Sequence, residues 1–190
     1  MIEVTRETKE TQISVKLALY GKGKAKIDTG VGFFDHMLEA FTKHAHIDLE
    51  VSCKGDTHID DHHTVEDVGI VIAQAFREAV YPVKNIERFG NATVVMDEAS
   101  VTCDIDLSNR GFLVFELPIG GKVGNFDVEL VEEFFRAFAF NLPLTLHLIY
   151  NRGKNKHHII EAAFKALAVS MRRAVAHNEN AGIPSTKGVL

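Results

Sequence analysis

Apolar residues recur along the chain with two periods that take turns. In ETQISVKLAL, from Glu10, every second residue is apolar, as a strand with one buried face requires. From Val65 the interval lengthens: Val65, Val68, Ile72, Phe76 and Ala79 form the stripe of an amphipathic helix. A second stripe runs through Ile160, Ala163, Leu167, Met171 and Ala174. Alternation returns at Ile47, Leu49 and Val51, at Leu144, Leu146 and Leu148, and in EASVTCDIDL from Glu98. Gly21-Lys22-Gly23 and Gly120-Gly121 mark turns between elements. The tail from Asn178 to Leu190, with Gly182 and Pro184, has no period and is expected to be irregular.

These elements occur twice. A shift of 95 positions lays His157, His158 and Glu161 on His62, His63 and Glu66, and the two helical stripes on each other. Upstream, with small gaps, HMLEAFTKHAHIDLEV from His36 matches EFFRAFAFNLPLTLHL from Glu133. Each half therefore reads strand, strand, helix, strand, helix. A half of this kind cannot bury both its sheet and its helices alone, so the two should pack together. The predicted fold is α+β, built of duplicated half-domains related by a pseudo-twofold. Each is a small, mostly antiparallel sheet covered by two helices. The repeats are 1–90 and 91–190, divided near Phe89 to Asn91, and form one compact unit.

The duplicated motif is His-His-x-x-Glu, placed in the first turn of each helix. Residues four apart share a helix face, whereas neighbours differ by about 100°. His62 and Glu66 point one way and His63 another. One motif thus gives two ligands to one metal and one to a second. A pseudo-twofold suggests a swap: His62, Glu66 and His158 on one ion, His157, Glu161 and His63 on the other. Such sets form within one chain or across a subunit contact. Imidazole with carboxylate suits manganese, iron, zinc or nickel. His36 and its mate Glu133 hold equivalent positions and are competent further ligands. A single His-His pair at a helix start is usually a cap; two pairs with a matching Glu in one register are not demanded by capping.

Composition narrows the class. The chain has 190 residues, 46% apolar and 25% charged, enough for one real core. A net charge of −5 argues against a nucleic-acid binder, which would show a basic face. Cys53 and Cys103 have no paired spacing and read as small buried hydrophobes in a reducing compartment. MIEVTRETKE lacks a signal core and no apolar run approaches a membrane span, so a cytoplasmic protein without membrane partners is expected. Ten histidines are many for this length, which favours metal or proton chemistry. His46 reads as the start of a strand and His44 as a substrate contact or a neighbour of the ligands; His177 reads as solvated.

GVGFFDHML (30–38), GDTHIDDHHTVED (55–67), RFG (88–90), MDEA (96–99), LHLIYNRGKNKHHIIEAAFKA (146–166) and PSTKGVL (184–190) resemble imidazoleglycerol-phosphate dehydratase, in order and over essentially the whole chain. The resemblance implies a duplicated fold like the second domain of ribosomal protein S5. It implies two Mn2+ per active site, sites formed between subunits, and a homo-oligomer of 24. It assigns His36, His63, His157 and Glu161 to one metal and His62, Glu66, Glu133 and His158 to the other. Many members carry histidine where this chain has Glu133.

The implied reaction removes water from imidazole glycerol phosphate to give imidazole acetol phosphate in histidine biosynthesis. The carbon that loses its proton is attached to the imidazole ring and has no carbonyl beside it. Two Lewis acids at the ring nitrogens would stabilise an imidazolate intermediate. Glu10 matches the family's substrate-contacting glutamate and is the first choice of base; another carboxylate or a metal-held water is second. Glu66 and Glu161 are the motif carboxylates of the catalytic set, and His36, His44, His62 and Asp97 also face the substrate. Arg88, Arg110, Lys165, Ser185 and Lys187 match phosphate-binding positions. A metal storage module would leave these cations unexplained. A dinuclear phosphoesterase would call for bridging carboxylates rather than paired histidines.

Overall fold

The computed structural model describes Met1–Leu190. In the first half, strands β1 (Ile2–Glu7), β2 (Thr11–Ala18) and β3 (Ala25–Asp28) precede helix α1 (Gly32–Ala45), strand β4 (Asp48–Gly55) and helix α2 (His62–Val80). The second half repeats this order with β5 (Phe89–Met96), β6 (Ala99–Asp106), β7 (Phe112–Glu116), α3 (Leu130–Asn141), β10 (Thr145–Arg152) and α4 (Lys156–Ala174). A short hairpin, β8 (Lys122–Val123) with β9 (Phe126–Asp127), is inserted before α3.

The sheets have the same topology, β1-β2-β4-β3 and β5-β6-β10-β7. Two pairings in each are antiparallel; the last, β3 with β4 and β7 with β10, is parallel. The duplicated, mostly antiparallel α+β fold is therefore present, with one more strand per half than the hydrophobic pattern predicts. Ala25–Asp28 offers only half-buried Ile27 to the interior, and four residues are too few to set a period. His46 does not begin a strand. It closes α1 in the left-handed conformation (φ 57°), and β4 starts at Asp48. Strand β5 starts at Phe89, at the edge of the Phe89 to Asn91 region where the repeats are expected to divide.

The helices lie between the two sheets. Helix α2 covers β1, β2 and β4, while α4 covers β5 and β6. Across the middle, α1 packs on α4 and α2 on α3, so each helix pair joins the two halves. Alternation drives this: Ile13, Val15 and Leu17 of β2 are all within 2% of full burial while the residues between them stay accessible. One cluster of 51 buried residues spans both halves. Its centre is aromatic, with Phe34 on Phe134 (5.4 Å), Phe134 on Phe164 (5.0 Å) and Phe76 on Phe138 (5.7 Å). Such pairs stabilise by about 0.5–1.5 kcal/mol beyond the area they bury.

Gly69 sets the spacing of α2 and α3. A Cβ there would lie 3.2 Å from Ala137 Cβ, Phe134 Cδ2 and the Phe134 carbonyl. Shifted by one repeat this position is Phe164, so the pseudo-twofold is not matched in side-chain volume. No helix is long and apolar enough to cross a membrane.

Candidate active site

Cross-half helix pairing decides which side chains meet. Helix α4 is capped by Asn155, whose Oδ1 accepts the His157 N–H at 3.0 Å. The first turn of α4 then directs His157 and Glu161 toward α1, where His36 waits. Glu161 Oε2 lies 3.1 Å from His157 Nε2 and 3.7 Å from His36 Nε2. The three ligand atoms lie within 4.8 Å of one another. Glu161 is only 5% exposed. Burial raises its pKa, but Lys165 Nζ at 2.7 Å, with His36 and His157, more than offsets this and holds it below the usual value.

A second set follows from the pseudo-twofold. His62 is the first residue of α2; its backbone N–H donates to Asp60 Oδ1 at 2.8 Å. His62 Nε2 lies 3.6 Å from Glu66 Oε2, and Glu66 and Glu133 line one cavity of about 250 Å³ between α2 and α3. The first set thus takes its motif pair from the second half and His36 from the first. In the second, His62 and Glu66 are in contact, and Glu133 of the other half lines the same cavity as Glu66.

His63 and His158 do not join these sets in the single chain, where the swap would have placed them. His63 Nδ1 faces Asp56 Oδ2 at 3.0 Å, and its Nε2 lies 3.7 Å from Glu10 Oε1. His158 Nδ1 faces Glu98 Oε2 at 2.8 Å, with Asp97 3.8 Å from its Nε2. A carboxylate at Nδ1 fixes the tautomer that leaves Nε2 free as a ligand. The same contacts raise both pKa values, through Asp56 for His63 and Glu98 for His158. His158 and the backbone N–H groups of Asn155 and Lys154 hold Glu98 down to about 2.

Glu10 sits in the β1–β2 turn. Its carbonyl accepts the Asp56 N–H at 3.1 Å. The next residue, Thr11, is buried and donates to Asp67 Oδ2 at 2.6 Å, and Arg6 Nε donates to Asp67 Oδ1 at 3.2 Å. Asp67 on α2 therefore anchors the turn, while the Glu10 side chain stays 51% exposed beside His63.

A polar pocket of about 390 Å³ lies elsewhere, lined in part by Arg88, Arg110, Ser185 and Lys187. Arg88 spans it: Nε and Nη2 donate to Asp106 at 2.7 and 3.1 Å, and Nη1 donates to the Pro184 carbonyl at 2.7 Å. The irregular tail is thereby tied to the body of the chain. Lys165 does not line this pocket; its ammonium lies 2.7 Å from Glu161 Oε1. His44, exposed on α1, has its pKa lowered by partial burial and by Lys165 and Arg172.

Asp56 and the anchoring Asp67 lie within GDTHIDDHHTVED, yet neither stands out in sequence. Asp56 shifted by one repeat is Asn151, and Asp67 is Ala162. The self-comparison that exposes the ligands therefore cannot expose them.

Fold and site together define a duplicated α+β protein with an imidazole–carboxylate cluster and a separate pocket lined by Arg88, Arg110 and Lys187. The family model Imidazoleglycerol-phosphate dehydratase matches residues 29–171. The chain is 94% identical over 190 residues, all of both chains, to the imidazoleglycerol-phosphate dehydratase of Sulfurovum sp. (strain NBC37-1). It is 65% identical, again over 100% of both, to that of Sulfurimonas denitrificans. Two solved dehydratases share the fold at 38% identity. That of Staphylococcus aureus has a TM-score of 0.83 and covers 94% of this chain and 100% of its own. That of Pyrococcus furiosus, in complex with (S)-C348, has a TM-score of 0.87 and covers 98% and 100%. The chain belongs to the imidazoleglycerol-phosphate dehydratase family, hydro-lyases of histidine biosynthesis.

Proposed function

We propose that the chain dehydrates imidazole glycerol phosphate to imidazole acetol phosphate with two Mn2+ per active site, in the cytoplasm, as an assembly of 24 subunits. The observation that carries this reading is the cluster of His36, His157 and Glu161; its repeat counterpart is His62 beside Glu66, with Glu133 lining the same cavity as Glu66. A substrate with two ring nitrogens calls for two such sets.

The donors fit a divalent cation. Imidazole Nε2 and carboxylate oxygen suit a borderline ion such as manganese, and His36, His157 and Glu161 already have their ligand atoms close together. His36, His157 and Glu161 with a His63, and His62, Glu66 and Glu133 with a His158, would hold the two ions. When bound, these ions supply Lewis-acid charge neutralisation at the substrate ring.

The remaining work falls to the chain. Arg110, Lys187 and Ser185 bind the phosphate, with Arg88 holding the tail in place. Glu10, accessible and free of side-chain hydrogen bonds, takes the proton from the carbon next to the ring. Lys165 keeps Glu161 ionised. Asp97 and His44 flank the sets and contact the substrate's polar side chain.

Assembly follows from what one chain leaves undone. Three donors per set are incomplete, and His63 and His158 present Nε2 away from the sets of their own chain. Phe140, 54% exposed, lines the Glu66–Glu133 cavity, which favours a covering subunit there. The test is formation of imidazole acetol phosphate by chelator-treated protein with and without added Mn2+. Product that depends on manganese supports the reading. No product from manganese-loaded protein, or release of free phosphate instead, overturns it.

A further inference from the structure

The repeat mates Glu10 and Glu98 occupy corresponding turns but meet different surroundings. Both carboxylate oxygens of Glu98 are engaged: Oε1 accepts the N–H groups of Lys154 (3.0 Å) and Asn155 (2.7 Å), and Oε2 faces His158 Nδ1 (2.8 Å). Glu10 has no such partners. In its half Asp56 takes the histidine instead, at His63 Nδ1. One carboxylate has become fixed scaffolding while its mate has stayed free.

We propose that Glu98 is the positioning residue of His158, setting its tautomer and direction so that Nε2 can serve as a metal ligand. This rests on the two-metal reading above. The surroundings reinforce it. Asn155, whose N–H Glu98 accepts, also caps α4 through its side chain. Gly153 (φ 139°) brings this turn so near β6 that a Cβ would lie 2.8 Å from Ala99 Cβ. The Glu98 carboxylate therefore joins the β5–β6 turn, the entry to α4 and the imidazole in one rigid group. Carboxylate partners of this kind typically contribute about 10–100-fold to metal affinity.

Glu98→Gln isolates the role. The amide oxygen still accepts from Lys154 and Asn155, but the amide nitrogen cannot accept from His158 Nδ1–H. Asn155→Ala is the structural counterpart, losing the cap of α4 while leaving Glu98 on His158. Mn2+ is titrated into metal-free full-length protein by calorimetry, and thermal midpoints are recorded without metal. Wild type should take up two ions per chain. Glu98→Gln should keep one at wild-type affinity and weaken the other about 10–100-fold, with a smaller fall in the metal-free midpoint than Asn155→Ala causes. Asn155→Ala should lower the midpoint and keep both. Two ions at wild-type affinity in Glu98→Gln overturn the proposal and leave the two-metal reading standing. Equal weakening by Asn155→Ala assigns the effect to the turn and also overturns it. Fewer than two ions in wild type contradicts the two-metal reading itself.

Discussion

His36 Nε2 and Glu161 Oε2 lie 3.7 Å apart on helices that belong to opposite halves of the chain. The second half alone pairs His157 with Glu161, at 3.1 Å, but the third donor, His36, comes from the first half. The hydrophobic core joins the halves, and the same joint, α1 on α4, assembles the ligands. Stability and site construction therefore share one set of contacts, Phe34, Phe134 and Phe164 at their centre.

The α2–α3 joint should control the other set alone. Gly69→Leu places a side chain where even a Cβ lies 3.2 Å from Ala137 and Phe134. Overpacking of this kind costs about 1–3 kcal/mol. The helices should part enough to separate Glu66 from Glu133. A manganese titration should lose the Glu66–Glu133 site while uptake at His36, His157 and Glu161 persists.

Glu133 is a carboxylate at the repeat position that His36 holds in the first half. Glu133→His should retain two ions per chain and keep turnover within about tenfold. Glu133→Ala should lose one ion and lower turnover by about 100-fold or more, as removal of a ligand costs at least what removal of its outer partner does. Turnover and metal content measured on the same preparations check both.

The tail should matter to the phosphate and not to the metals. Removing the last six residues deletes Ser185 and Lys187 but spares the Pro184 carbonyl that Arg88 holds. Turnover should vanish while manganese content stays at the wild-type level. Normal activity in this truncation removes the tail from the site.

Stability of the metal-free protein should peak in mildly acid solution. His63 and His158 have folded pKa values above the ordinary 6.5, raised by Asp56 and Glu98. Their stabilisation is complete below 6.5 and is lost as pH rises through the raised values. Glu98, held from 4.5 down to about 2, contributes above 4.5 and loses its effect as pH falls toward 2. The thermal midpoint without metal should therefore be highest between about 4.5 and 6.5. With manganese the trend above 6.5 should reverse, because a ligand imidazole must be neutral.

Much of this was legible in the chain because duplication writes its elements twice. The pairs His62–Glu66 and His157–Glu161, the long helices and the alternating strands carry strong local periods. Strands β3 and β7 do not: each is a short edge strand whose place is fixed by parallel pairing to β4 or β10, a long-range contact. His46 reads as a strand start because a left-handed helix end and a strand start look alike next to an alternating run. Asp56 and Asp67 are hidden for another reason. Their partners are distant in sequence or lack a repeat mate, so neither period nor self-similarity points to them.

The central claim is that each metal set draws on both halves, and anomalous scattering from crystals of manganese-loaded protein tests it most directly. The account predicts two peaks per chain, one touching His36, His157 and Glu161 and the other His62, Glu66 and Glu133. Peaks confined to residues of a single half, or a single peak per chain at full manganese, would contradict it.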